Sequence, residues 1–397
     1  MLKLPMFRNL GALTLAQVFA QCAPPMVILL GGIVGARLTS NPSLATLPIA
    51  FMICGTALSS IPAAMLMSRF GRKRGFIGSA MSATLAGVLA AYAISIEHFW
   101  LFCLATFLIG SNNAFVQQYR FAVAESVPAE KVAQAISVLM IAGVFAAWLG
   151  PEVAQRLHNW STWGEFSGSF LGLALLMVIA LFWLAFYSDF VPTASTADAV
   201  QRPLPEIISQ PMFVLAVGAA AVAYAVMSLV MTATPVSMHT VDHFSLEDTT
   251  WVIQSHVMAM YLPSLFSGLL VSRFGPVRII LVGLMLMLGC LVVAFIDRQL
   301  MHYWLSLVLL GIGWNFLFLG GTTLLTSTYT TTERFKVQAL NDALIFSIQA
   351  CGALGSGYVL LAFGWQTLLL VCVPMLVVLL LIVWLTHAKP QAHKSTR

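Results

Sequence analysis

Long apolar stretches separated by short polar segments dominate this sequence, and they constrain its fold more than any other feature. A helix that crosses the hydrocarbon core of a membrane needs about 20 predominantly apolar residues. Twelve stretches meet that requirement, at residues 10–36, 44–67, 76–95, 98–122, 134–155, 166–188, 211–235, 249–271, 277–296, 302–326, 338–362 and 364–386. The sequence therefore predicts an all-α membrane protein with twelve transmembrane helices.

The composition excludes several other classes of protein. Only 8% of the residues are charged, whereas a soluble domain carries about 25%, so a water-facing surface is not expected. The Lys and Arg residues lie in short loops between apolar stretches, which argues against nucleic acid as a partner. The six cysteines lie inside apolar stretches without paired spacing, which argues against a disulfide framework or a zinc site. The lipid bilayer is the expected surrounding.

The distribution of basic residues predicts the orientation. Loops on the cytoplasmic side of membrane proteins carry an excess of Lys and Arg. With the N-terminus inside, the cytoplasmic side receives 16 Lys and Arg residues, and the opposite side receives three, which are Arg37, Arg156 and Arg298. We therefore expect a multi-pass protein of a bacterial inner membrane with both termini in the cytoplasm.

An internal repeat divides the chain. Ser-Arg-Phe-Gly occurs after the second stretch, at residues 68–71, and again after the eighth, at residues 272–275, an offset of 204 residues. Gln134-Ala135 and Gln338-Ala339 share that offset. Two parallel halves of six spans are typical of transporters built from repeats. The predicted parts are two six-helix halves, a cytoplasmic linker and a cytoplasmic tail, at residues 1–188, 211–388, 189–210 and 389–397, respectively.

The loop after the second stretch resembles a signature of the major facilitator superfamily. The segment at residues 64–74 reads AMLMSRFGRKR, and it departs from the family pattern at Ala64 and Ser68, where the family has Gly and Asp. The resemblance implies the major facilitator fold with two pseudo-symmetric halves. It also implies a conformational role for residues of this loop and of its second copy, namely Arg69, Gly71, Arg72, Arg273 and Gly275.

Four soft side chains lie within two consecutive spans. Met227 and Met231 are one helical turn apart on span 7, and His256 and Met260 are one turn apart on span 8. Counting residues from the outer ends of the spans places the two pairs at similar depths, roughly 12 and 16 Å. Thioether and imidazole groups suit Cu(I) and disfavour Mg²⁺, Ca²⁺ and Mn²⁺. Ordinary hydrophobic packing is the alternative role, because methionine is a common core residue.

The two pairs together resemble the functional motifs of CcoA-like copper importers, a group within the same superfamily. That resemblance implies copper import, with Met227, Met231, His256 and Met260 as the metal ligands and cbb-type cytochrome c oxidase assembly as the destination of the copper. Riboflavin importers belong to the same wider group. An importer of riboflavin or of another small organic solute is therefore the alternative, in which the Met and His residues only pack.

The repeat extends the metal hypothesis to the first half. At the repeat offset, the methionine pair of span 7 corresponds to Cys22 and Met26, and His256 corresponds to Met52. We hypothesise that these residues are additional ligands in a shared site or receive the ion from the second half. The adjacent Pro24-Pro25 pair is expected to break the helix and act as a hinge. Core packing is again the alternative.

Import by alternating access is the expected activity, without an enzymatic step and without a permanently bound cofactor. Copper is the expected substrate, a cytoplasmic copper chaperone is the expected acceptor, and the protein is expected to be a monomer. A membrane metal sensor or assembly factor is a third hypothesis, which the two-half repeat disfavours. Proton coupling through His256 and uptake driven by the membrane potential both remain open. Intramembrane amides, including Asn112 and Asn315, are expected to bond between helices or to line the cavity.

Overall fold

Long apolar helices form almost all of the structure, a computed structural model that describes residues 3–40, 44, 47–189 and 202–388. Within these residues, twelve helices are long and apolar enough to span a membrane. They are α1 Phe7–Gly35, α2 Leu47–Phe70, α3 Arg72–Ser95, α4 Phe99–Glu125, α5 Ala129–Leu157, α6 Ser167–Leu184, α7 Pro211–Val236, α8 Glu247–Phe274, α9 Pro276–Ile296, α10 Leu300–Leu325, α11 Arg334–Leu360 and α12 Ala362–Thr386. The predicted all-α fold with twelve spans is confirmed. Most of the predicted linker and the predicted tail lie outside the described residues.

Three of the spans are interrupted near prolines or polar residues. Two helical segments make up α1 and extend beyond it at both ends: Lys3–Ala20, and Ala23–Leu38 with Pro24 and Pro25 in its first turn. Proline is tolerated in a first turn, where its missing N–H leaves no hydrogen bond unmade. The predicted break beside the proline pair is confirmed. Similar interruptions separate helical segments at Gln117–Gln118 in α4 and at Leu262–Pro263 in α8.

The backbone repeats where the sequence repeats. Gly71 joins α2 to α3 with φ 86° and ψ 157°, and Gly275 joins α8 to α9 with φ 83° and ψ 154°. Positive φ is accessible to glycine and strained for other residues. The sharp turn between consecutive helices therefore requires glycine in both copies. This explains why both copies have glycine at this position although the residues that follow it differ.

Two compact units divide the chain. Unit 1 comprises Met1–Val200, Ser264–Gly268 and Thr331–Ala350, and unit 2 comprises Gln201–Pro263, Leu269–Thr330 and Cys351–Arg397. The core of unit 1 is rich in small residues. In α3, for example, the buried positions include the alanines at 80, 83, 86, 90, 91 and 93. Small residues allow membrane helices to approach closely, and van der Waals packing then replaces the hydrophobic effect that lipid does not supply.

Helix α10 is central in unit 2. It packs against α7, α8 and α9, and most of its side chains are buried. Glycine and aromatic residues are interspersed along it, among them Gly311, Trp314 and Phe318. The glycine permits close approach of a neighbouring backbone, whereas the large rings fill the space between the other helices. This helix therefore positions residues of both α7 and α8.

Candidate functional site

The four soft residues predicted as metal ligands all lie in unit 2. Met227, His256 and Met260 are buried, and Met231 is half-buried. Helices α7 and α8, which carry them, pack mainly against α10 and contact each other little. The structure thus confirms that each pair belongs to a membrane span. Their assignment as ligands of a single metal ion stays a prediction.

Hydrogen bonding defines the tautomer of His256. Its Nδ1 lies 2.8 Å from the carbonyl oxygen of Leu307 on α10. A carbonyl oxygen only accepts, so Nδ1 carries the proton and donates. In the neutral ring the lone pair is then on Nε2, which is buried without a hydrogen-bond partner among the described residues. This is the arrangement in which imidazole binds a metal or accepts a proton from a substrate.

Close contact between α8 and α10 fixes the predicted His-x-x-x-Met motif. A Cβ atom added to Gly311 would lie 2.7 Å from the carbonyl oxygen of His256, so only glycine allows this approach. The amide Nδ2 of Asn315 donates to the carbonyl oxygen of Met260 at 2.8 Å. The sequence indicates Asn315 as an intramembrane amide, and the structure shows that it anchors the motif backbone. Gly311 was not identified from the sequence.

An aromatic cluster lies in the same unit. The ring of Trp314 stacks on Phe318 at 4.9 Å and makes edge contacts with Tyr224 at 5.4 Å and with Tyr261 at 5.9 Å. Trp314 is 2% exposed, and its indole N–H has no hydrogen-bond partner among the described residues. A buried donor without a partner is costly, so it commonly marks a place where water or a ligand binds. Sequence reasoning missed this cluster, since aromatic residues are frequent throughout the chain.

The additional ligands proposed in the first half lie in the hydrophobic core of unit 1. Cys22, Met26 and Met52 are all buried there. The Cys22 thiol donates to the carbonyl oxygen of Val18 at 3.1 Å, so its hydrogen bond lies within α1. Across the described residues, no group of three or more His, Cys, Asp or Glu side chains is arranged to hold a metal ion. The additional-ligand role therefore stays a prediction.

The loop signature forms a charged cluster within unit 1. Arg72 is buried and donates to both carboxylate oxygens of Glu125 on α4, at 2.6 and 3.1 Å. Arg334, at the start of α11, lies 3.2 Å from the same carboxylate. Gln338 accepts a hydrogen bond of 2.6 Å from Arg72. Ser68 stands where the family signature has Asp, and its hydroxyl donates to the carbonyl oxygen of Met65 within its own helix. The carboxylate that pairs with Arg72 is that of Glu125 on α4.

The remaining signature residues are more exposed. The Arg69 guanidinium lies 5.3 Å from the ring centre of Phe70, and in the second copy Arg273 lies 5.5 Å from Phe274. The two copies therefore place their first arginine alike, on the ring of the following phenylalanine. Only the first copy continues with a buried arginine, because its counterpart at the repeat offset is Pro276.

A second buried ion pair joins α4 to α11 inside unit 1. Arg120 donates to Asp342, and both side chains are almost fully buried. Gln118 and Asn341 also donate to this carboxylate, at 2.6 and 2.9 Å. A buried charge persists only when it is paired and hydrogen-bonded. The sequence indicates that Asp342 is an intramembrane acid, but it does not indicate which residue neutralises it.

Comparison with known proteins identifies the family. The family model of the Major Facilitator Superfamily matches residues 11–260 and 216–397. The chain belongs to the major facilitator superfamily. Riboflavin transporter RfnT of Brucella anthropi is 39% identical over 391 residues, which cover 97% of this chain and 96% of that protein. The MFS-type transporter YdeG of Bacillus subtilis is 26% identical over 380 residues, covering 92% of this chain and 88% of its own length.

Solved structures agree with this assignment at the level of the fold. A bacterial homologue of the iron transporter ferroportin, in an outward-facing state, has a TM-score of 0.73 at 12% identity, covering 96% of this chain and all of its own (100%). The transporter FucP, in an outward conformation, has a TM-score of 0.70 at 16% identity, covering 97% and 99%. This protein is accordingly a membrane transporter, as predicted. The finer expectation of copper transport receives no support from these relatives.

Proposed function

We propose that this transporter imports riboflavin or a closely related flavin by alternating access. The observation that carries the proposal is the 39% identity, over nearly the whole of both chains, to a protein named a riboflavin transporter. Riboflavin, the alternative substrate expected from the sequence, thus becomes the first candidate, and copper becomes the second. We place the protein in a bacterial inner membrane, with both termini in the cytoplasm, on the distribution of its basic residues.

The chemistry of unit 2 supports a flat, polar-edged aromatic substrate. An isoalloxazine ring needs aromatic surfaces and a few hydrogen-bonding groups, which is the usual make-up of small-molecule sites. The rings around Trp314 supply aromatic surface. The Trp314 indole N–H supplies a donor, and Nε2 of His256 supplies an acceptor. In this proposal, both atoms find their missing partners on the substrate.

Uptake of labelled riboflavin tests the proposal. Cells that neither synthesise nor import riboflavin would express the wild type, Trp314→Phe or Trp314→Leu. We expect the Phe variant to lose the hydrogen bond and keep the ring, raising KM about fivefold, since one hydrogen bond contributes about 1 kcal/mol. The Leu variant also loses the ring. Trp148→Leu is the matched control, because Trp148 is two-thirds exposed on a span surface (66%).

The control and the wild type are expected to take up riboflavin at equal rates. Absence of saturable riboflavin uptake by wild-type protein that is present in the membrane would refute the proposal. Uptake by Trp314→Leu at the wild-type rate would remove the aromatic cluster from the site while leaving the substrate class intact.

Copper import is the second candidate, and the state of His256 is the observation that favours it. Its Nε2 lone pair is buried and unpaired among the described residues, and Met260 lies one turn further along the same helix. Imidazole and thioether ligands suit Cu(I). In this candidate function Met227 and Met231 complete the site, and the ion passes to a cytoplasmic copper chaperone for oxidase assembly.

Uptake of labelled copper in cells without their own importer separates the two candidates. His256→Ala and Met227→Leu together are expected to abolish copper uptake if copper is the substrate. His98→Ala is the matched control, since His98 lies at the start of α4, where its ring accepts from the backbone N–H of Leu101. Absence of copper accumulation above the empty-vector level in cells that express the wild-type transporter would exclude this candidate. That result would leave the riboflavin proposal unchanged.

A further inference from the structure

A groove in unit 1 opens on the side of the helices near their basic end. It encloses about 470 Å³, with walls from α2 and α3 and a floor from α4. Leu66 and Phe70 line one side, Arg74 and Ser82 line the other, and Asn112 and Phe115 lie at the floor. The groove is thus apolar for most of its surface, with polar groups confined to α3 and to the floor.

One exposed face of α3 carries an arginine, a glycine and a serine that line the groove. Arg74, Gly78 and Ser82 are spaced four residues apart and all are exposed, so they form a stripe about 12 Å long. Exposed arginine and serine side chains on a membrane span are unexpected, because lipid chains offer no hydrogen bonds. The stripe begins with the cation at the end of the span that carries the arginine-rich loop.

Asn112 provides an independent indication that a polar ligand group enters the groove. Its side chain is 2% exposed, and its Oδ1 has no hydrogen-bond partner among the described residues. Its Nδ2 has only the Met177 sulfur at 3.9 Å. An amide in this environment would ordinarily satisfy both groups. A ligand with hydrogen-bonding groups at this depth removes the cost in either orientation of the amide.

The charge at the mouth of the groove belongs to Arg74. Arg72 is already neutralised by Glu125, and the Lys73 ammonium donates to the carbonyl oxygen of Ala185 at 2.7 Å. No described carboxylate pairs with Arg74. A cation at the edge of the hydrocarbon region, above an apolar groove, is complementary to an anionic head group that carries an acyl chain.

We propose that this groove is a binding site for one anionic phospholipid of the adjacent leaflet, which the basic loops mark as the cytoplasmic one. The phosphate pairs with Arg74 beside the open surface of Gly78. The glycerol and ester groups reach Ser82 and Asn112, one to two helical turns deeper. One acyl chain lies against Leu66, Phe70 and Phe115. This site is separate from the substrate residues of unit 2 and does not depend on which solute is carried.

Gly78 offers a direct test. A Cβ atom added there meets nothing within 4 Å, so Gly78→Leu fills the groove without disturbing the helix packing. Gly355→Leu is the matched control, because a Cβ atom at Gly355 also meets open space, but in unit 2. Arg74→Gln removes the charge, and Arg69→Gln removes an exposed arginine of the same loop that does not line the groove.

Native mass spectrometry of the purified transporter would count bound lipid after titration with phosphatidylglycerol or with phosphatidylcholine. We expect the wild type and both control variants to retain one phosphatidylglycerol in preference to phosphatidylcholine. Arg74→Gln is expected to weaken phosphatidylglycerol binding about fivefold, the usual contribution of one basic residue near a membrane surface. Gly78→Leu is expected to abolish the tightly bound molecule.

Two results would overturn the proposal. One is equal retention of the two lipids by the wild type, which would mean that the groove selects no head group. The other is undiminished phosphatidylglycerol binding by Gly78→Leu and Arg74→Gln, which would place any selective lipid elsewhere. A monodisperse elution profile for each variant establishes that it is folded. If Gly78→Leu is not folded, phosphatidylglycerol binding by Arg74→Gln alone tests the proposal.

Discussion

The ion pair between Arg120 and Asp342 is expected to show a large cost when one partner is removed and a small cost when both are. Asp342→Leu leaves the Arg120 charge buried, and the amides of Gln118 and Asn341 lose their acceptor. Removing one partner of a buried pair costs about 3–5 kcal/mol. Each unsatisfied amide adds to this cost, so we expect a loss of about 5 kcal/mol, the upper end of the range for such pairs.

Replacing both residues by leucine removes the uncompensated charge. The double variant Arg120→Leu/Asp342→Leu is therefore expected to be more stable than either single variant. Because the double variant then loses less than either single variant, the interaction energy exceeds the larger single loss of about 5 kcal/mol, above the range of about 0.5–3 kcal/mol for most residues in contact. The exposed pair between Arg37 and Glu165 is the control. These groups are 2.7 Å apart with side chains 49% and 45% exposed, and such pairs contribute about 0–1 kcal/mol.

Reversible unfolding in mixed micelles with increasing sodium dodecyl sulfate measures these free energies. The reasoning requires a double-mutant cycle for each pair, with a large interaction energy for Arg120 and Asp342 and almost none for Arg37 and Glu165. If the double leucine variant is as unstable as the sum of the two single variants, the two side chains do not compensate each other in the folded protein. If Asp342→Leu alone leaves the free energy of unfolding unchanged, the Asp342 carboxylate carries no charge in the folded wild-type protein.

Three further variants test the packing and turns in the same unfolding assay. Gly268→Ala is expected to lose about 1–3 kcal/mol by overpacking, because the new Cβ would lie 2.8 Å from a carbonyl oxygen of α5; a neutral result would mean that the two helices separate easily. Gly275→Ala is expected to lose about 1–3 kcal/mol from the positive φ alone. Gly71→Ala is expected to lose more, because its Cβ would displace the Asp189 carboxylate, which accepts from the Lys73 N–H at 2.8 Å; equal losses would show that this carboxylate moves without cost. Ser245→Ala is expected to lose about 1 kcal/mol, because the Ser245 hydroxyl caps α8 by accepting from the N–H of Asp248 at 3.0 Å; an unchanged free energy would show that water replaces the cap.

The number of spans and their order were readable from the sequence because hydropathy is a local property. Each of the twelve predicted stretches matches a helix of the structure to within a few residues. The repeated Ser-Arg-Phe-Gly segments indicated two related halves, and the matching φ values of Gly71 and Gly275 have a local cause. The break in α1 followed from its two prolines.

The sequence narrowed the candidate substrates to copper and a small organic solute such as riboflavin, but it did not decide between them. Met227, Met231, His256 and Met260 satisfy a soft-metal pattern, and the same residues also suit a packed membrane core. The rings gathered around Trp314 come from three different helices, and no spacing along one helix reveals them. The relative named for riboflavin and this cluster together change the order of the two candidate substrates.

The sequence by itself determined that this chain is a membrane protein of twelve helices with a repeated Ser-Arg-Phe-Gly segment, since those properties depend on residues near one another in the chain. The tertiary structure decided which buried groups are paired. Glu125 pairs with Arg72 of the loop signature, Arg120 neutralises Asp342, and Leu307 sets the tautomer of His256. In each case the partners lie on different helices, at least 51 residues apart in the chain. All the spans are similarly apolar, so only their packing determines which polar side chains meet.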